Sequence, residues 1–405
     1  MRTVVVTGLG VAAPTGLGVE AYWPATLRGE DGIARLTRFD PAQYPAQLAG
    51  EAPGFVAEEH IPARLIPQTD PMTRLALAAA DWALDDAGLD PATVPSSYDL
   101  GVITASSSGG FEFGQRELAN LWSKGGQYVS AYQSFAWFYA VNTGQISIRH
   151  GLRGPSGVVV TDQAGGLDAV AQARRNIRAG TPVMVSGAVD SSLCPWSWAA
   201  HLAGGGLTTQ KDPRRAFLPF DVNASGYVPG EGGAILVVEE LQAARARGAR
   251  QIYGTVAGYA ASFDPKPGLG REPGLRYAIE SALRDADLTA ADVDVVFADA
   301  YGIPELDLVE ANAVRDVFGP YGVPVTAPKT MTGRLYAGGA SLDLAAALLS
   351  IRDGVIPPTT NVTTLAPGCL IDLVRDKPRP ARVHAVLVLA RGRGGFNSAM
   401  VLTRP

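Results

Sequence analysis

Gly157-Val-Val-Val-Thr-Asp-Gln-Ala-Gly-Gly-Leu-Asp-Ala-Val-Ala171 carries a β-branched run straight into a helical pattern. Val158, Val159 and Val160 read as a buried strand, and Ala164, Leu167, Val170 and Ala171 fall on one face of the helix that follows. A strand that turns sharply into a helix lifts one side chain, here Gln163, to the helix N-terminus. Backbone N–H groups and the helix dipole favour negative charge at such a point, so it is where an acyl-transfer site holds a nucleophile. A carboxamide neither ionises nor attacks a thioester. The stretch has the elbow of an acyl-transfer site without its nucleophile.

Outward from this elbow, short β-branched runs alternate with helical patterns along the whole chain: Val4–Val6, Val102–Thr104, Val183–Val185, Ile235–Val238, Val293–Phe297 and Val383–Leu389. Such alternation predicts an α/β protein with buried central strands. The helices are well punctuated. Asp70 stands as N-cap, Pro71 at the first helical position, Met72, Leu75, Ala79 and Trp82 on one stripe, and Gly88 as the stop. Across Glu240–Arg250 the chain becomes rich in Ala and Arg, and a new strand is expected from Ile252. We read two similar halves, 1–248 and 249–405, with Gln163 near the middle of the first and Asp299 at a strand end of the second. The repeat is structural, since no repetition of letters is visible.

The 405 residues are 47% hydrophobic and 18% charged, enough for a large core, and the net charge of −5 opposes non-specific attraction to nucleic acid or an anionic membrane. The clusters Arg174, Arg175, Arg178 and Arg245, Arg247, Arg250 read as solvated helix faces. Cys194 and Cys369 lie far apart without metal-ligand spacing, so neither a disulfide framework, a metal site nor a cofactor is indicated. No apolar run has membrane-spanning length and no leader pattern opens the chain, so a cytoplasmic protein is expected.

Three patterns invite a functional reading and resist it. Gly8-Leu-Gly-Val-Ala-Ala13 follows a strand as a dinucleotide fingerprint does, but Pro14, Thr15 and Gly16 interrupt the helix such a site needs. A tight turn with close backbone packing is the expectation there. His60, His150, His201 and His384 pair with no serine elbow, and His150 is expected to cap a helix end. Cys194 lies in Leu-Cys-Pro-Trp with no strand-to-helix elbow, so nothing there lowers its pKa.

Val4-Val-Val-Thr-Gly-Leu-Gly-Val, Phe220-Asp-Val-Asn-Ala-Ser-Gly-Tyr-Val-Pro-Gly-Glu-Gly-Gly, Lys329-Thr-Met-Thr-Gly and Gly394-Gly-Phe-Asn together resemble the β-ketoacyl synthases of the thiolase fold. Phe135-Ala-Trp-Phe-Tyr-Ala-Val-Asn-Thr-Gly-Gln-Ile-Ser-Ile-Arg-His-Gly and Asp162-Gln-Ala-Gly-Gly-Leu-Asp resemble, within that group, the chain-length factor or ketosynthase β subunit of type II aromatic polyketide synthases. The resemblance covers nearly the whole chain. It implies a layered α-β-α-β-α architecture and a site of one cysteine, two histidines and a lysine.

On that alignment the cysteine position is Gln163, the first histidine, eight residues before Asp307 in Asp-x-x-Glu310, is Asp299, and the second, five after Lys329, is Arg334. Only Lys329 is retained. Decarboxylative condensation needs a thiolate and donors aimed at the thioester enolate, so these changes predict no condensing activity. Asp299 is expected to pair with Arg334 or Lys329. In the gating loop, Gly392-Arg-Gly-Gly-Phe396, Arg393 stands where active synthases usually place phenylalanine. Two other readings stay open: Gln163 as an amide that primes by malonyl decarboxylation, and an active enzyme with an unrecognised nucleophile such as Cys194.

The resemblance further implies a heterodimer with a catalytic ketosynthase α subunit, joined near Val158–Val160, supplied by an acyl carrier protein, and holding an apolar tunnel whose depth limits the poly-β-ketone. Its far end would be lined by Phe111, Gly114 and Leu118, which share a helix face, and by Phe135. Gly114 costs a helix ~1 kcal/mol relative to Ala and leaves space, and Leu118 lacks the reach of an aromatic ring. A deep tunnel and a product longer than an octaketide, decaketide-like, are expected.

Overall fold

The structure, a computed structural model, describes residues 2–266, 268 and 270–405. In the first half the strands are β1 (Val4–Ala13), β2 (Leu100–Ala105), β3 (Ser156–Val159), β4 (Val183–Asp190) and β5 (Gly232–Glu240). The second half repeats them as β6 (Gly254–Phe263), β7 (Val295–Phe297), β8 (Pro324–Thr326), β10 (Ala385–Gly392) and β11 (Phe396–Thr403), with a short extra strand β9 (Asp372–Leu373). The spatial order is β3-β2-β4-β5-β1 in one and β8-β7-β10-β11-β6 in the other. In each the first two pairings are parallel and the last two antiparallel. The internal repeat is thus written in topology, and the halves meet where Val5 and Val6 of β1 pair with Thr255 and Gly254 of β6.

Helices fill three layers around these two sheets. Helix α1 (Pro71–Ala87) packs on β1, β5 and β4, together with α3 (Val141–His150), and forms one outer layer. Helices α6 (Leu275–Asp285) and α7 (Pro304–Phe318) form the other, α6 lying on β6 and β11. Between the sheets lie α4 (Gly165–Ala179) and α8 (Ala337–Asp353), which touch each other and strands of their own sheets. Helix α8 is buried from Ala337 through Ile351, and its apolar side chains run all the way round, as a helix enclosed on every side requires. The α-β-α-β-α layering expected of the thiolase fold is present.

The sequence rules for α1 hold in detail. Asp70 accepts the Met72 N–H at 2.9 Å, Pro71 opens the helix, and Gly88 closes it in the left-handed region at φ 59°. Four expectations need correction. Gly8–Ala13 is no turn: it continues β1, bulged between Val6 and Gly8, and only the close packing was read rightly. A Cβ at Gly10 would lie 1.8 Å from the Ala79 carbonyl oxygen of α1. Strand β3 is an edge strand and half-buried, and Val160 beyond it is 46% exposed. Its β-branched run reads as interior because β-branched composition does not distinguish an edge strand from a central one.

Arg174 is not on a solvated face but buried between the halves, 2.6 Å from Asp285 and donating to the Ala257 carbonyl. Likewise, His150 does not cap α3; its Nε2 lies 3.1 Å from Asp81 of α1. Both errors come from counting charges along a helix without knowing which neighbour supplies the opposite charge.

Gly10→Val should abolish soluble expression, because a side chain there displaces α1 from the first sheet, whereas Gly126→Ala, where a Cβ meets nothing within 4 Å, should be silent. Soluble yield and circular dichroism of the two variants check this.

Candidate functional site

The elbow is built as its sequence implies. Strand β3 ends at Val159, Asp162 adopts φ 52°, and a single 3-10 turn over Asp162–Ala164 delivers Gln163 to the start of α4. Ala164, Leu167, Val170 and Ala171 are all buried. Gln163 is itself buried, at 7% exposure. The carboxamide orientation that satisfies its neighbours donates from nitrogen to the Tyr336 carbonyl at 3.0 Å and accepts from Arg334 Nε at 3.0 Å.

Arg334 is the centre of the site. It is 1% exposed, and its Nη2 lies 3.0 and 3.2 Å from the two carboxylate oxygens of Asp299. Its Nη1 donates to the Asp299 carbonyl at 2.8 Å and to that of Ala300 at 3.1 Å. The guanidinium stands 4.1 Å from the Tyr301 ring centroid, a cation–π contact. Burial would lower its pKa, but the Asp299 carboxylate outweighs that and holds it above the ordinary value. Gln163, Arg334 and Asp299, distant in the sequence, are one hydrogen-bonded chain, and Nη2 of Arg334 also reaches the Arg391 carbonyl at 3.4 Å.

Lys329 does not join the Asp299 carboxylate. Its Nζ lies 2.7 Å from Asp343 of α8 and donates to the carbonyls of Ala298 and Asp299 at 2.9 Å each. Burial raises the Asp343 carboxyl above the usual range against the pull of Lys329. Asp343 was missed from sequence, although a lone carboxylate inside the apolar run Ala340-Ser-Leu-Asp-Leu-Ala-Ala-Ala was a signal for a buried counter-ion.

Two further carboxyls fix the loop after β7. Glu310 accepts the N–H groups of Asp299 and Ala300 at 2.7 and 2.8 Å, and Asp307 those of Phe220 and Gly302 at 2.9 Å each. Burial, reinforced by the Asp299 charge, pushes Glu310 up to about 7 and Asp307 up to about 6. Asp-x-x-Glu places both on the first turns of α7, facing that loop.

The loop after β10, expected to act as a gate, is hydrogen-bonded to the elbow. The Arg393 N–H donates to Asp162 at 2.7 Å, and Phe396 packs edge-on against Phe263 at 5.0 Å. The four expected tunnel residues do not all converge. Helix α2 (Phe111–Lys124) carries Phe111, whose ring is 4.8 Å from that of Trp196, and Gly114, which is buried beneath Trp196 and Trp137. Leu118, one turn on, is 37% exposed. Phe135 faces a separate apolar groove of about 520 Å³ with Leu65, Phe138, Val141 and Ile148.

Cys194 stands at the N-cap of α5 (Pro195–Gly204), and no strand turns directly into that helix, since β4 ends at Asp190. Its thiol is nonetheless raised in pKa, because burial outweighs the hydrogen bonds of Ser197. Burial also pushes Cys369 up to about 11. His201 is pulled down to about 4 by burial and stacks on Tyr336 at 4.7 Å. Among the described residues no cluster has the makings of a metal site.

With this geometry, comparison with known proteins is direct. The N-terminal domain of β-ketoacyl synthases matches residues 1–244 and the C-terminal domain matches residues 253–363. The chain belongs to the β-ketoacyl synthase family. It is 59% identical over 402 residues to the actinorhodin polyketide putative β-ketoacyl synthase 2 of Streptomyces coelicolor, spanning 99% of this chain and 98% of that protein. The tetracenomycin polyketide synthase ketoacyl synthase β subunit of Streptomyces glaucescens is 59% identical over 402 residues, with 99% and 98% covered. Among solved structures, the ishigamide ketosynthase/chain length factor matches with a TM-score of 0.88 and 30% identity, covering 100% of this chain and 99% of the other.

Arg334→Met leaves Asp299 charged and unpaired inside the protein and should cost ~3–5 kcal/mol, whereas Asp299→Leu with Arg334→Met should recover most of it. Urea unfolding midpoints of the purified variants test this. Iodoacetamide near neutral pH should leave Cys194 and Cys369 unmodified until the protein is unfolded, as read by mass spectrometry of the intact chain.

Proposed function

We propose that this chain is a non-condensing chain-length factor: it pairs with a catalytic ketosynthase α subunit and, through a tunnel at their interface, sets the length of the poly-β-ketone. The observation that carries this is the mutual satisfaction of Gln163, Arg334 and Asp299. No group at the elbow can become a thiolate, and the enolate-facing positions hold an ion pair instead of free donors. The Gln163 oxygen and one of its N–H groups are engaged, which weighs against a priming role for the amide.

The surface supports a partner. Strand β3 has β2 on one side and, among the described residues, no strand on the other; Val160 just after it is 46% exposed and Ile148, on the helix α3 that packs on it, is 77% exposed. Pairing β3 to its counterpart in a ketosynthase α subunit would bury these side chains and satisfy the free edge. An acyl carrier protein would deliver malonyl units to the cysteine of that partner. No helix among the described residues is long and apolar enough to cross a membrane, which fits assembly in the cytoplasm. In this reading the seam between the halves falls at 248/249.

Phe111, Gly114 and Leu118 on α2 would form the tunnel end, Phe135 a wall beyond it, and Arg393 and Phe396 the loop over the plugged elbow. With glycine at 114, a product longer than an octaketide is expected.

Co-expression with a ketosynthase α subunit should give a stable 1:1 complex; a homodimer that condenses malonyl units overturns the proposal. In the reconstituted synthase Gly114→Thr with Leu118→Phe should shorten the main product, and Gln163→Ala should leave titre unchanged, both read by mass spectrometry of the products.

A further inference from the structure

Helix α2, which carries Phe111 and Gly114, begins without a cap of its own. Its N-cap position is Gly110, which has no side chain to accept from the N–H groups of the first turn. Nothing larger fits there: a Cβ on Gly110 would lie 2.2 Å from the Ala136 carbonyl oxygen and 2.9 Å from Cβ of Asp70. Residues 136 and 137 are seated on this turn, where the Gly110 N–H donates to the Trp137 carbonyl at 3.0 Å, and their approach excludes the serine or aspartate that usually caps a helix.

Asp70 supplies the cap from another helix. One of its carboxylate oxygens accepts the Met72 N–H of α1 at 2.9 Å, and the other accepts the Phe113 N–H of α2 at 2.8 Å. The residue is fully buried. A single carboxylate thus serves the N-termini of two helices, 17 and 14 residues long, whose dipoles both favour its charge. The bond within α1 is the one its sequence context announces; the bond to α2 spans 43 residues.

We infer that Asp70 is a positioning residue for chain length: it fixes the start of the helix that carries Phe111, Gly114 and Leu118 against the body of the first half. This rests on the chain-length reading above. The loop ahead of α2 is held separately. Asp190 of β4 accepts from Ser106 Oγ at 2.9 Å and from the Ser107 N–H at 3.1 Å, and Ser106 Oγ in turn accepts the Gly109 N–H at 3.1 Å. Loss of the Asp70 bond therefore releases the first turn of α2, where Phe111 and Gly114 lie, rather than the loop before it. A tunnel end whose first turn shifts stops chains less sharply, so neighbouring lengths should appear beside the main product.

The two bonds of Asp70 separate by substitution. Asp70→Ser keeps an oxygen for the Met72 N–H, since serine caps a helix about as well as aspartate, but one hydroxyl on a shorter side chain does not also reach Phe113. The test uses the 1:1 complex with a ketosynthase α subunit, supplied with carrier protein and malonyl units, and reads amide hydrogen exchange and product length by mass spectrometry. In Asp70→Ser, residues 110–117 should exchange about ten-fold faster or more, as loss of one buried charge-assisted hydrogen bond implies, while 72–87 exchange as in the parent. The main product should lose share to its neighbours in length. Unchanged exchange over 110–117, or faster exchange there with an unchanged product distribution, overturns the inference. Gly114→Thr with Leu118→Phe, run alongside, judges the chain-length reading itself: if that pair shortens the product while Asp70→Ser leaves it unchanged, only the role of Asp70 falls, and if neither alters it, both fall. Should Asp70→Ser not form the complex, Asp70→Asn decides by the same two readouts, since its carboxamide caps α1 but presents a donor to the Phe113 N–H.

Discussion

The contact between Arg334 and Asp299 is the constraint around which the second half of this protein is arranged. A guanidinium at 1% exposure is tolerable only if each N–H finds an acceptor, and here they come from one carboxylate, the carbonyls of Asp299 and Ala300, and the amide of Gln163. Carbonyls 298 to 300 all turn inward to serve Arg334 and Lys329. Their N–H groups then need other partners, and Glu310 supplies them for Asp299 and Ala300. Ala300 consequently sits at φ 49°, a left-handed conformation that the surrounding bonds hold. The loop after β7, the start of α7 and the entry to α8 are therefore shaped by one buried cation.

The same topology occurs twice but ends differently. In the second half β9, two residues long, pairs in parallel with β8 and is itself the outer strand. In the first half the equivalent position is β3, with β2 on one side only. An open edge beside exposed apolar side chains is an aggregation hazard unless it is paired. Of the two outer strands β3 is the longer, and it is the strand that leads into the elbow.

How far the sequence disclosed this depends on the range of each interaction. The helix α1 was legible to the residue, because caps and stops are local chemistry: Asp70, Pro71 and Gly88 act within one turn. The strand-to-helix elbow was legible for the same reason. What was not legible is pairing at a distance. Nothing in the sequence ties Arg174 to Asp285, His150 to Asp81, or Lys329 to Asp343 rather than Asp299. The burial of a strand says nothing of whether its neighbour belongs to the same chain, which is why β3 reads like a core strand. Gly8 and Gly10 were placed in a turn because glycine marks both turns and close helix–strand contact, and only the position of α1 distinguishes them.

The relation among Gln163, Asp299 and Arg334 argues against a site emptied by drift. An elbow that lost its nucleophile and kept two imidazoles would retain a pocket for a thioester. Replacing one imidazole by a cation alone, or by an anion alone, would bury an unpaired charge at a cost of several kcal/mol. Here Arg334 and Asp299 carry opposite signs at hydrogen-bonding distance, and Gln163 at the elbow accepts from Nε of Arg334 while donating to the Tyr336 carbonyl. Each change is acceptable only with the others. The physical result is a buried, charge-balanced cluster at the elbow in which amide, guanidinium and carboxylate are committed to one another.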